Sequence, residues 1–183
     1  SGVDLTIPDI TYLKDKQSKI RGFVVTHGHE DHIGGFPYII PQLKEGIPIY
    51  ASKLTAGFIK EKFKEFRIDP KILNVVKDRQ PISLGDFEIK MIPVTHSVPD
   101  TKHLIIKTPL GNVYHGSDFK FDWTPVGQEL PDIQSMTRAG AEGVVLLLSD
   151  CLRSEKNGYS LSESIVEDSF EREFRGEENR VVV

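Results

Sequence analysis

Residues Phe23-Val24-Val25-Thr26-His27-Gly28-His29-Glu30-Asp31-His32 decide how this chain is read. The apolar run Phe23 to Val25 predicts a buried strand, so the His-x-His-x-Asp-His string leaves its C-terminal end, where a rigid sheet displays chemistry on a loop. Neutral imidazole and carboxylate are ligands of zinc and its neighbours. Three histidines and an aspartate in so short a stretch point to a metal site rather than a solvated loop. Gly28 is read as the residue that lets the backbone turn so that alternate side chains face different ions.

Three further predicted strands end in residues suited to the same chemistry. Met91 to Thr95 leads to His96, Asn112 to Ser117 leads to Asp118, and Val144 to Ser149 leads to Asp150. Strand ends of one layered fold can meet along a common edge. More than four ligands implies two ions, and ions about 3.5–4 Å apart need a shared ligand to offset their repulsion. A carboxylate can bridge and an imidazole nitrogen cannot, so Asp118 is the expected bridge. His27, His29 and His96 would hold one ion, with Asp31 and His32 on the other, which is then one protein ligand short. Alone, His96 and Asp118 would pass for hydrogen-bonded structural residues, and the first cluster is what raises them to ligands. Asp150 is balanced between a turn residue and a carboxylate that orients a ligand imidazole. His103 and His115 fall inside predicted strands and are assigned to packing. Cys151 is read as a small buried side chain.

The rest of the chain fits one soluble domain. It has 183 residues, a net charge of −4 and a single cysteine. That size allows a core of its own, the lone cysteine excludes an internal disulfide framework and suits a reducing cytosol, and the charge argues against a broad basic surface. No apolar stretch reaches membrane-spanning length, and the first residues carry no secretory signal. The absence of an initiator Met, and the close in Arg180-Val181-Val182-Val183, which looks like a strand beginning, suggest a piece of a longer protein.

Aliphatic and amphipathic segments alternate, the pattern of an α/β layered sheet. Helices are predicted from Gly34-Gly35 through Ile40, and from Lys53 to Phe66, where Leu54, Phe58, Ile59, Phe63 and Phe66 recur at helical spacing. Strands are predicted at 47–50, 72–76 and 87–94, with turns at 83–86 and 109–112. Val144 to Leu148 reads as a strand buried on both faces. A last helix is expected to start with a capping box, Ser160 and Glu163, and to carry Leu161, Ile165, Phe170 and Phe174 on one side.

His27, His29, Asp31 and His32, then His96, then Asp118 resemble the successive signature motifs of the metallo-β-lactamase fold. The strings Gly2 to Asp9, His27 to Gly35, His96 to Asp100 and His115 to Lys120 are similar to those of the ribonuclease J family, in the β-CASP group. The resemblance runs over nearly the whole chain. It implies a four-layer αββα sandwich, here incomplete, lacking the first strands and the C-terminal part. Residues 1–183 would then be the N-terminal portion of a metallo-β-lactamase domain, preceding a β-CASP insertion and a late His ligand. The implied function is a cytoplasmic, zinc-dependent ribonuclease of RNA decay and processing, with 5′-to-3′ exonuclease and endonuclease activity, RNA as substrate, and a dimer or tetramer as assembly. Asp150 falls where nucleolytic relatives place an acidic residue near the late His, which favours a ligand-orienting or proton-relay role. The family more often shows Thr-Gly where this chain has Gly116 and Ser117, and Ser-Thr-Asn where it has Cys151, Leu152 and Arg153. Neither change removes a ligand.

The expected mechanism is in-line attack on phosphorus by a hydroxide held between two zinc ions, so no activated Ser or Cys is needed. Asp31, Asp118 and Asp150 are the catalytic candidates. Two other classes compete. A small-molecule hydrolase of thioesterase or lactonase type could use the same two-metal chemistry, and the context Glu30, Ile33, Gly34, Gly35 weighs against it. A non-catalytic scaffold is the other, and the intact ligand set weighs against that.

Overall fold

Strand β1 (Phe23–Val25) is short, yet its two faces meet different cores. Successive side chains of a strand point to opposite sides, so Val25 and Val24 separate the layers. On one side Val25 packs with Ile49 and Ala51 of β2 (Ile49–Ala51) against Ile59 and Phe63 of a helix at Lys53–Glu65. On the other, Val24 and Tyr50 meet Ile82, Leu84, Ile89, Met91 and Leu104 of a second sheet. Beyond that sheet, Ile92 and Ile105 turn outward onto Ala139 and Met136 of another helix. Helix, sheet, sheet and helix follow in that order, an α/β sandwich of four layers, as the family resemblance implied.

The computed structural model describes residues 2, 5–177 and 180 of the chain. In chain order the elements are α1 (Thr11–Lys14), β1, α2 (Glu30–Ile33), α3 (Phe36–Ile39), β2, α4 (Lys53–Glu65), β3 (Leu73–Val75), β4 (Pro81–Leu84), β5 (Phe87–Pro93), β6 (Lys102–Thr108), β7 (Gly111–His115), α5 (Ile133–Ala141), β8 (Val144–Leu148) and α6 (Ser164–Phe174). The first sheet is parallel, in the order β1-β2-β3. The second runs β4-β5-β6-β7-β8, antiparallel up to β7, with β8 parallel to β7. Parallel neighbours need a crossover, and α5 supplies it between β7 and β8.

Helix α4 forms where predicted, but its buried face is Thr55, Ala56, Ile59 and Phe63; of the expected stripe Leu54, Phe58 and Phe66 are exposed. Phe63 is wholly enclosed, and truncating an aromatic ring of this kind costs about 3–5 kcal/mol.

Several expectations change. The helix predicted from Gly34-Gly35 through Ile40 forms as the short α3, and a helix the sequence did not single out, α2, begins inside the His string at Glu30. Glu30 and Asp31 occupy its first turn, where the helix dipole favours carboxylates. Ser83 and Leu84 belong to β4, a strand the sequence did not single out. The capping box at Ser160 and Glu163 does not form. Asp122 accepts the Glu163 N–H at 2.8 Å instead, and α6 starts only at Ser164. Cys151 is exposed, not buried. Strand β8, at the edge of its sheet, is exposed along its whole length, from 36% at Val144 to 65% at Val145. Its uniform apolarity records a need for cover that no other described residue meets. The strand expected at Val181 to Val183 lies outside the described residues. Among the described residues, no helix is long and apolar enough to cross a membrane.

Candidate metal centre

The site assembles just past the ends of three strands. His27 follows β1, and its ring is fully buried. The end of β1 is tied to the second sheet by the Lys102 N–H, which donates to the Thr26 carbonyl at 2.9 Å. His29 stands at the N-cap position of α2, so one helical turn carries His29, Asp31 and His32. Ile33, 2% exposed, anchors that turn in the core. Gly28 has a different reason from the one the sequence suggested. Its backbone needs no special turn; a Cβ there would meet the Phe58 ring of α4 at 2.3 Å. Close approach of helix and loop is what requires glycine.

His96 follows β5, and Gln128 donates to its carbonyl at 3.0 Å. The loop after it is fixed by a buried lysine. Lys102 Nζ lies 2.7 Å from Asp78 and 2.8 Å from Asp100, and Asp100 also accepts the Leu54 N–H at the start of α4. Asp118 follows β7, and its strand extension is held to that of His96 by the Lys120 N–H on the Thr95 carbonyl at 2.8 Å.

These segments bring His27, His29, His96 and Asp118 into one group, and Asp31, His32 and Asp118 into another. His27 Nε2 and His96 Nε2 each lie 3.1 Å from His29 Nδ1. Asp118 Oδ2 is 3.7 Å from both Nε2 atoms and 3.4 Å from His32 Nε2, which is 3.6 Å from Asp31 Oδ2. Asp150 joins neither group. It accepts the Leu152 N–H at 2.8 Å, and its charge is felt at His96. His103 and His115 are packed elsewhere, His103 against the Tyr114 hydroxyl at 2.8 Å.

The donor chemistry fits a metal. Burial first, and then the neighbouring His32, push His27 down to about 4, against the pull of Asp118. Burial likewise lowers His96, with His29 adding to it. Both rings are neutral at pH 7. Ser97 approaches His29 Nε2 at 3.3 Å and Thr26 approaches His27 Nδ1 at 3.0 Å, so the opposite nitrogens face inward. One hydrogen on His29 Nδ1 cannot serve both flanking Nε2 atoms. Converging lone pairs of this kind are costly unless a cation stands among them. Tetrahedral ligands about 2.0–2.1 Å from a zinc ion are roughly 3.3–3.4 Å apart, a value bracketed by the 3.1 Å between imidazole nitrogens and the 3.7 Å to Asp118 found here.

Sequence reasoning missed the supports. Thr26, Lys102, Asp100 and Ser117 hold the ligand segments, and only adjacency to the His string or to His96 could have flagged them. Of these, Ser117 is buried, sits at φ +46° and donates its hydroxyl to Thr26 at 2.8 Å.

Comparison with known proteins shows the family of the fold. Residues 3–141 match the model of the β-lactamase superfamily domain. The chain is 40% identical over its full length to ribonuclease J of Thermus thermophilus, covering 33% of that protein, and 40% identical to ribonuclease J of Helicobacter pylori, covering 26%. It thus spans a third or less of the relatives it matches. A metallo-β-lactamase of Cronobacter sakazakii, solved as a HARLDQ-motif mutant, has the same fold. That likeness has a TM-score of 0.50 and 16% identity, covering 88% of this chain and 64% of the other. The chain belongs to the β-lactamase superfamily, and along its whole length it is similar to ribonuclease J.

Proposed function

We propose that this chain is the metal-binding part of a zinc-dependent ribonuclease that hydrolyses RNA phosphodiester bonds. The observation that carries the reading is the position of Asp118 Oδ2 in both ligand groups, in a chain 40% identical throughout to ribonuclease J. His27, His29 and His96 would hold one ion and Asp31 and His32 the second, with Asp118 available to both. When bound, two such ions supply a water acidic enough to attack at neutral pH and positive charge against the phosphoryl oxygens. The chain's own work is to keep the imidazoles neutral and aimed inward by burial. For Asp150, which joins neither ligand group, the resemblance implies a ligand-orienting or proton-relay role.

The finer parts of the reading rest on the resemblance. They are 5′-to-3′ exonuclease with endonuclease activity, a β-CASP domain elsewhere in the full-length protein, a homodimer or homotetramer, and a cytoplasmic location, which the free thiol of Cys151 suits. The uncovered strand β8 supports the placing of residues 1–183 within a larger domain. The test is an assay of the full-length protein on end-labelled RNA and, beside it, on a thioester. RNA cleavage that chelator stops and zinc restores is expected. Thioester turnover with RNA left intact would overturn the reading.

A further inference from the structure

The residue before Asp118 carries an unexplained conformational cost. Ser117 has φ +46°, in the left-handed region that side chains other than glycine's rarely enter. Glycine is the inexpensive residue there. Strain kept at such a point indicates that the side chain is needed. That side chain is not on the surface: Ser117 is 8% exposed and Thr26 7%.

The Ser117 hydroxyl donates to Thr26 Oγ1 at 2.8 Å, and Thr26 Oγ1 lies 3.0 Å from His27 Nδ1. Ser117 Oγ itself is 3.5 Å from the same nitrogen. With Nε2 facing the other ligands, the neutral ring carries its hydrogen on Nδ1 and donates it to Thr26. The threonine oxygen then accepts twice, once from the imidazole and once from Ser117. Its neighbour Gly116 makes the geometry attainable. A Cβ on Gly116 would stand 3.0 Å from the Leu148 carbonyl, whose oxygen accepts the Gly116 N–H at 2.6 Å. Gly116 therefore brings the end of β7 against β8, and the following residue turns back toward β1.

We propose that Ser117 is a positioning residue for His27: from its left-handed backbone it fixes the Thr26 hydroxyl, and through it the tautomer and aim of the buried imidazole. This rests on the reading of His27 as a metal ligand. Groups that orient a ligand imidazole from behind typically govern metal affinity by about 10- to 100-fold.

The test uses the full-length protein, its Ser117→Gly, Ser117→Ala and Thr26→Val variants, and the pair Ser117→Gly with Thr26→Val. Glycine takes φ +46° without strain, so the Ser117→Gly protein should melt no lower than its parent. Nitrogen-15 NMR of the metal-free histidines reads the tautomer, and competition with a chromophoric chelator reads zinc affinity. In the parent, His27 should show one tautomer, protonated at Nδ1. Both Ser117 variants should show mixed tautomers and bind zinc about 10-fold more weakly. The double variant should be no worse than Thr26→Val alone, because the two groups act in series. Ser117→Gly protein with the parent tautomer and the parent zinc affinity would overturn the proposal. A parent that binds no zinc, but whose His27 tautomer answers to Ser117, would uphold the positioning role and remove the metal reading instead.

Discussion

Asp118 Oδ2 lies 3.4 Å from His32 Nε2, joining the helical turn of α2 to the end of β7. The same oxygen faces His27 and His96, each at 3.7 Å. One atom thus belongs to two ligand groups, and the groups cannot be altered independently through it.

Asp118→Ala should therefore empty both positions, whereas His32→Ala should empty one. Metal analysis of the purified full-length proteins would show the stoichiometry falling from two to none in the first case and from two to one in the second. RNA cleavage by Asp118→Ala should drop by about 10²–10³-fold or more, the scale of losing a group that organises transition-state charge. Full cleavage by that variant would contradict the assignment.

Metal should also stabilise the fold. A ligand that binds only the native state at 100 times its dissociation constant contributes about 2.7 kcal/mol. For a domain of this size that raises Tm by roughly 5–10 °C. Thermal melts with zinc and with excess chelator measure it, and a Tm indifferent to both would argue that the histidine cluster binds nothing.

The metal-free protein should lose stability in mild acid. His27 and His103 are each held down to about 4 by burial, against 6.5 for a free imidazole. As pH falls below 6.5 the unfolded chain takes up these protons first. Stability is complete above pH 6.5 and is lost progressively down to about pH 4. His103, 2% exposed and in neither ligand group, contributes on the order of 3 kcal/mol to that loss. Urea titrations across this window should show a shallower pH dependence for His103→Gln than for the parent.

Lys102→Met should destabilise the fold by about 3 kcal/mol, because it strands the Asp78 and Asp100 carboxylates that now share one buried ammonium. Since Asp100 also ties the loop after His96 to α4, zinc affinity should fall with it. Equilibrium unfolding and chelator competition on the same sample test both, and unchanged affinity would separate the lysine from the site.

The layered α/β class and the gathering of His and Asp side chains were legible in the sequence because each is written in local pattern. Ile59 and Phe63 lie at helical spacing in α4, although Leu54, Phe58 and Phe66 of the same pattern are exposed, and His27, His96 and Asp118 each follow a predicted strand. What failed depended on neighbours. Val144 to Leu148 states that β8 wants cover, but not whether other parts of this chain provide it. Ser160 and Glu163 have capping-box spacing, yet Asp122, distant in sequence, takes the Glu163 N–H. Gly28 is required by the ring of Phe58, a contact that no local rule displays. The roles of Ser117 and Lys102 lie in hydrogen bonds and ion pairs to remote segments, so the sequence displays neither role.

The most direct test is anomalous X-ray diffraction at the zinc edge from crystals of the full-length protein. The account predicts two zinc peaks about 3.5–4 Å apart, one beside His27, His29 and His96, the other beside Asp31 and His32, with Asp118 touching both. A single peak, or two peaks that Asp118 does not share, would contradict it.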